Sequence, residues 1–353
     1  MGLTDKYSEF SYCNIRFAVI LQEHPFCVNE GKQIAHHLKN KGFDVSVFSE
    51  FEAFAENIFN YDCAIVLNPV FQPAPLLKNN IIWVGIQTEQ FCIEGYGGMY
   101  YKWNTRMMKN KLPSYHIMYE FSHFNYQYLL NYCQENKIDT YIKFFEPICE
   151  GVSNKLSFEN QHPKYDVFFV GYIPDKLDRR QLILDYLANH FNVFPNTSGL
   201  WKDDLQDAIF NSKVCLNLHS GETLAFELHR FETYFSAGSF VISENIEDSY
   251  PYIDGKDFVS SSLKELESKI SYYLSHDNER NAIAKNAFER YSSLDTFASK
   301  VDKIIKDVTI FNYERYSKEA LFKNKSAFEK LKLHLKNSDR LLNAYERFKR
   351  DKL

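Results

Sequence analysis

Short, uninterrupted apolar runs separated by stretches of helical periodicity recur along the chain. The first run, RFAVIL at residues 16–21, is of the kind a strand buried on both faces of a parallel sheet requires. After the loop QEHPFCVNEG the period changes. From Gly31 onward Ile34, Ala35 and Leu38 share one helical face, and Gly42 closes that helix before a second apolar run at 43–48. Further strands are expected at 63–67, 81–86 and 116–119, and their alternation with helical or loop stretches predicts a twisted parallel sheet. Between about 144 and 164 the text FFEPICEGVSNKLSFENQHPK carries two prolines and no sustained period. A boundary is expected there, between a first domain over 1–150 and a second over 160–310.

The second half restarts the same pattern. Strands are predicted at 166–170, 192–194, 214–218 and 240–243, with helices at 180–189, 205–211 and 225–235 between them and Gly171 turning the chain after the first. From about 262 the pattern is helical, and residues 311–353 hold no strand signal. The fold class predicted is therefore α/β: two tandem Rossmann-like domains facing a cleft, followed by a C-terminal helical segment. Open α/β sheets bind ligands outside the carboxyl ends of their strands, so function is sought in the cleft. The tail over 311–353 carries 12 Lys and Arg against 6 Asp and Glu, which leaves the remainder of the chain at −11. Phe328, Leu331, Leu335 and Leu342 recur in it at roughly helical spacing. Such a segment suits peripheral contact with an anionic membrane surface, or packing of an amphipathic helix on its own protein.

Composition narrows the partners. A chain of 353 residues exceeds one ordinary core. A net charge of −5 and a pI near 6.1 supply no concentrated basic field for nucleic acid. The 31 Phe and 24 Tyr fit a biased overall composition as readily as a ring-stacking carbohydrate surface. Seven scattered cysteines without a CxxC pair read as reduced thiols and not as a zinc or redox site. No apolar run reaches membrane-spanning length, and MGLTDKYSEF lacks the features of a signal peptide, so a cytoplasmic protein is expected, with the inner membrane face as a possible peripheral location.

The stretch VCLNLHSGETLAFELHRFETYFSAGSFVISE, residues 214–244, concentrates candidate chemistry. A strand delivers Asn217 and His219 to its carboxyl end, and Glu227, Arg230 and Glu232 follow at or within the first turns of a helix. Glu227 and Arg230, three apart, share a helix face, whereas Glu232 looks to a different side. A carboxylate can accept from both hydroxyls of a ribose, and an arginine or helix N-terminal amides can hold diphosphate oxygens. The same spacing equally suits an Arg–Glu ion pair on a surface helix.

In order along residues 166–310, VFFVGYIPDKLDRRQLILDYL, VCLNLHSGE, RFETYFSAGSFVISE, YIDGKDFV and SYYLSHDNERNAIAKNAFERY resemble the C-terminal half of GT-B glycosyltransferases of the group-1-like branch, which includes bacterial spore-maturation proteins. In the first half the resemblance is confined to the alternating architecture and NEGKQIAHHLKNKGFDVSVF. The resemblance implies transfer of a sugar from a nucleotide-sugar donor to a glycan, lipid or protein acceptor. It further implies that Glu232 contacts the donor ribose and that Gly171 with Arg179 or Arg180 lies near the diphosphate. Two departures stand. Retaining members carry two glutamates separated by seven residues, a spacing that Glu222, Glu227 and Glu232 do not give, and the stretch from Glu232 to Gly238 is one residue longer than usual. Glu227 therefore rivals Glu232 for the ribose, and the stereochemistry stays open.

An inverting transferase needs a base on the acceptor side. Glu89, after IIWVGIQTEQ, is the first candidate and His24 the second, while Lys102 and Arg106 suit an anionic acceptor or a solvated loop. A retaining route lets the leaving diphosphate take the proton instead. No metal or other cofactor is expected: no DxD motif ends a strand, and Asp203 and Asp204 read as charges at a helix start. The alternatives to a transferase are a nucleotide-sugar epimerase of the same architecture and a non-catalytic carbohydrate-binding relative.

Overall fold

The structure is a computed structural model and describes residues 15–21, 25–75, 81–91, 99–173, 177–195, 200, 202–221 and 223–322. In the first half β1 (Arg16–Ile20), β2 (Asp44–Phe48), β3 (Cys63–Leu67), β4 (Ile82–Gln87), β5 (Ile117–Glu120) and β6 (Tyr141–Phe144) form a six-stranded sheet in the order β2-β1-β3-β4-β5-β6. Every pair is parallel. All residues of β3 and β4 are buried, as a strand covered by helices on both faces demands. The cover comes from α1 (Pro25–Asn40), α2 (Phe51–Ala55), α3 (Met99–Lys111) and α4 (His123–Asn136). α1 begins at Pro25, ahead of its expected start at Gly31, because proline is at home in a first helical turn. α4 begins at an N-cap, Ser122, whose Oγ accepts from Asn125 N at 3.3 Å, and ends where Lys137 turns left-handed at φ 53°.

The second half contains β7 (Tyr165–Phe168), β8 (Ser212–Asn217), β9 (Val241–Glu244) and β10 (Val259–Ser261), parallel and in the order β10-β9-β8-β7. α5 (Arg179–Ala188), α6 (Lys202–Phe210), α7 (Leu228–Ser236), α8 (Leu263–Ser275) and α9 (Asp277–Ser292) surround it. The strand expected at 192–194 is reduced to one parallel bridge, Val167 to Val193. Asn192 N donates to the Asp166 carboxylate at 3.0 Å and Asn192 Nδ2 to Lys164 O at 2.8 Å, so that residue pairs with β7 through its carbonyl, which accepts from Asp166 N at 2.9 Å.

Both sheets reverse their winding direction once. β1 separates β2 from β3, and β7 separates β8 from Val193. Such reversals open a crevice at the carboxyl ends of the strands. α10 (Phe297–Phe322) then returns to the first half. Its Val301, Ile304, Ile305 and Val308 join a core that also contains Phe17 and Leu38. Tyr119 donates its hydroxyl to Asp307 at 2.6 Å, and Asp302 pairs with Lys41 at 3.0 Å and His37 at 3.1 Å. Among the described residues no helix is long and apolar enough to cross a membrane. Cys63, Cys133, Cys149 and Cys215 are free thiols. His24, Glu222 and the apolar tail positions Phe328, Leu331, Leu335 and Leu342 lie outside the described residues.

Candidate functional site

At the switch point of the second sheet, two arginines converge on one carboxylate. Arg230, in the first turn of α7, donates Nε to Val170 O at 3.0 Å and Nη1 to Asn217 Oδ1 at 2.5 Å, and its Nη2 lies 2.7 Å from Glu227 Oε2. Arg180, near the start of α5, donates Nε to Leu218 O at 3.0 Å, Nη1 to Tyr172 O at 3.0 Å and Nη2 to Glu227 Oε1 at 3.1 Å. Both guanidiniums lie over the Phe169 ring, at 5.6 and 5.1 Å. The loops after β7 and β8 are thereby stitched to the start of α7. Burial would push the Glu227 carboxyl up, but Arg230, His219 and Arg180 outweigh it and hold the group down at about 2.

The loop after β7 passes close to this pair. A Cβ on Gly171 would meet Phe169 Cζ at 2.7 Å and Arg230 Nη2 at 3.1 Å, so only glycine fits without displacing them. His219 is buried, donates Nε2 to Asn245 O at 3.0 Å and turns Nδ1 toward Glu227 at 3.9 Å. Arg179 is held separately. It pairs with Glu244 through both guanidinium ends and donates Nη1 to His219 O at 3.0 Å, and Glu244 also accepts from His219 N at 2.8 Å.

A cavity of about 380 Å³ opens between the halves, with Glu89 and Gln90 on one wall and Arg180, Glu227 and Arg230 on the other. Gln90 Nε2 spans it to Phe226 O at 3.0 Å. Asn68, left-handed at φ 53° after β3, donates Nδ2 to Glu89 Oε1 at 3.2 Å, and Asn125 Nδ2 holds Glu89 O at 2.8 Å. Glu89 thus faces the cleft from the first half on a supported segment.

Glu232 belongs elsewhere. It projects from another side of α7 into a second cavity of about 860 Å³, bounded by the 150–155 segment and the start of α6. Its Oε1 accepts from Ile148 N at 3.4 Å and its Oε2 lies 3.5 Å from His229 Nδ1. His229 borders both cavities, which makes it the side chain between Glu232 and the arginine pair. Glu30 of α1 is buried against this region. Burial raises its carboxyl well above the ordinary range, with Glu150 and Glu232 adding to the rise.

The structure thus gathers Gly171, Arg180, Asn217, His219, Glu227 and Arg230 into one cluster, links Arg179 to it through Glu244, and sets Glu89 opposite. Lys102 and Arg106 are exposed on α3, and Asp203 and Asp204 stand in the first turn of α6. Glu244, Asn68 and Gln90 were not singled out from the sequence. A signal existed for Glu244, which ends an apolar strand as Asn217 does. Among the described residues no group of three or more His, Cys, Asp or Glu is placed to hold a metal ion.

Two Rossmann-like domains facing one another across a cleft define the GT-B class of fold. Residues 175–306, most of the second half, match the family described as glycosyl transferase-like. The structure is similar to that of Anabaena Alr3699/HepE in complex with UDP and glucose, with a TM-score of 0.58 at 10% identity over 84% of this chain and 100% of that one. The complex of the same protein with UDP-glucose gives a TM-score of 0.57 with the same identity and coverage. An α1,3-fucosyltransferase gives 0.50 at 13% identity over 83% of this chain and 89% of its own. No curated protein matches the sequence. The chain has the GT-B fold, and the match to the glycosyl transferase-like family lies in its second half.

Proposed function

We propose that the chain transfers a sugar from a uridine-diphosphate donor to an acceptor held by the first half. The observation that carries the reading is the pair Arg180 of α5 and Arg230 of α7, locked by backbone carbonyls and Glu227 at the switch point of the second sheet. Two guanidiniums beside Glu227 place cationic donors there, and the α7 N-terminus adds its dipole. The diphosphate lies at this cluster, and the nucleoside runs past His229 toward Glu232, whose carboxylate accepts from the ribose hydroxyls. UDP and UDP-glucose in the HepE structures favour uracil as the base.

In the reaction the bond from the anomeric carbon to the diphosphate oxygen breaks, and one to the acceptor hydroxyl oxygen forms. Glu89 takes the hydroxyl proton. The charge developing on the leaving diphosphate is met by the arginine cluster and the helix start, fixed before the substrate arrives. EDTA is therefore expected to leave turnover unchanged. Melting the protein with UDP-, GDP-, dTDP-, ADP- and CMP-sugars tests the donor site, because a ligand of the folded state present at 100 times its Kd stabilises it by about 2.7 kcal/mol. UDP-glucose should raise the melting temperature, and Glu232→Ala should weaken it in calorimetry. A panel in which no nucleotide shifts the melt would remove the reading.

A further inference from the structure

The switch point of the first sheet presents a different surface. After β3 the chain turns at Asn68, and Phe71 N closes the turn on Asn68 O at 3.1 Å. The buried ammonium of Lys111 then donates to Pro69 O at 3.2 Å, Val70 O at 2.6 Å and Gln72 O at 2.5 Å. Gln72 Nε2 ties the same loop to Leu21 O at 2.9 Å, at the end of β1. On this pinned loop Phe71 stacks on Trp103 of α3, with ring centroids 5.8 Å apart and planes inclined by 24°. Both remain accessible, Phe71 at 38% and Trp103 at 42%.

Each ring is one short step from the cleft. Phe71 is a turn away from Asn68, whose side chain holds Glu89, and Trp103 precedes Asn104, whose Nδ2 donates to Gln90 O at 3.2 Å. Glu89 and Gln90 form the first half's wall of the cavity. An exposed pair of large rings, one on a loop ordered by four side-chain hydrogen bonds and one on α3, offers an apolar surface whose geometry is set in advance. The loop that carries Phe71 also carries Asn68, which holds Glu89 on the cavity wall. The C–H face of a pyranose ring complements an apolar ring surface, and its hydroxyl rim complements a carboxylate or an amide.

We propose that Phe71 and Trp103 form the platform on which a sugar ring of the acceptor stacks, so that the acceptor is itself a carbohydrate. The platform rests on the transferase reading only for its role as the acceptor side. Binding to it can be measured without turnover.

The probes are cellobiose, lactose, maltotriose and N,N′-diacetylchitobiose, observed by saturation-transfer NMR on the full chain, on Trp103→Ala, Phe71→Ala and Trp103→Phe. Thermal shifts with UDP-glucose are recorded on all four proteins, and circular dichroism verifies folding. At least one saccharide should bind the native protein, bind at least about tenfold more weakly to both alanine variants, and bind Trp103→Phe nearly as well as the native protein. The UDP-glucose shift should be the same throughout. Saccharide binding undiminished in Trp103→Ala, or no saccharide bound by a protein that retains its UDP-glucose shift, overturns the platform and leaves the donor site standing. Loss of the UDP-glucose shift in Trp103→Ala would assign the rings to the nucleobase instead, and this too overturns the platform. Saccharide binding that follows the aromatic pair in a protein with no UDP-glucose shift keeps the platform and removes the donor reading.

Discussion

Three glutamates around the cleft do different work because their surroundings differ. Glu89 is supported by Asn68 and faces the cavity from the acceptor side. Replacing it with Gln keeps the shape and removes the proton acceptor, so kcat should fall by about 10²- to 10⁴-fold while UDP-glucose affinity, read by calorimetry, stays at the native value. Glu227 and Glu30 shift in opposite directions. With its carboxyl held at about 2 against an ordinary 4.5, Glu227 contributes stability that is complete above 4.5 and drains away as pH falls toward 2. Glu30 is raised, so its contribution is present below 4.5 and lost as pH rises through its folded value. At pH 7 Glu227→Gln should destabilise by about 1–3 kcal/mol, below the cost of breaking a fully buried pair because the carboxylate is partly exposed. Glu30→Gln should stabilise by about 1 kcal/mol. Denaturant titrations at pH 7 and pH 4 would show both, and a Glu30→Gln protein no more stable than native at pH 7 would refute the assigned environment.

At the scale of elements, strands and the arginine cluster were legible to different degrees. The run CAIVL stands at 63–67 as expected because continuous burial needs only apolar neighbours in sequence. β6 was not foreseen, since YIKF is short and half-exposed, and α4 carries polar residues around most of its circumference. The candidate residues Arg180, Asn217, His219, Glu227 and Arg230 were named from the chain, but their convergence was not. Arg180 meets Glu227 across 47 positions, and only the order of β7 and β8 brings them together. The division between Glu227 and Glu232 was half visible in their spacing on α7, whereas the cavity that receives Glu232 is made by segments distant in sequence. The loop after β3 was silent in the sequence because its order comes from one lysine 39 to 42 residues away. Lys111→Met keeps the stem and removes three hydrogen bonds. Amide exchange across 70–72 should quicken at least about tenfold, the change expected for losing one hydrogen bond's worth of local stability, with β7 and β8 unaffected.

For the whole molecule, α10 decides whether the two halves behave as one. It starts beside the second half, where Lys303 pairs with Asp295 at 2.8 Å, and it lays Val301, Ile304, Ile305 and Val308 into a core shared with α1. Fully burying each of these side chains is worth about 1.5–3 kcal/mol, and the buried Tyr119 to Asp307 bond adds to that. The sum is comparable with the entire stability of an ordinary domain. The first half thus draws much of its stability from a helix delivered by the second. A chain ended at residue 296 should lose the single cooperative melt expected of the full protein. In a Trp201→Phe background its first-half signal, followed by fluorescence of Trp83 and Trp103, should unfold at lower temperature than the last step of the helix signal in circular dichroism. The milder Tyr119→Phe should keep one transition and lower it by about 1–2 °C, as losing about 1 kcal/mol does in a chain of this size. If the shortened chain instead melted once, at the full-length temperature, α10 would not couple the halves, and the geometry of the cleft would have to be maintained by direct contacts such as Gln90 to Phe226, His123 to Asp248 and the stacking of His123 on Tyr250.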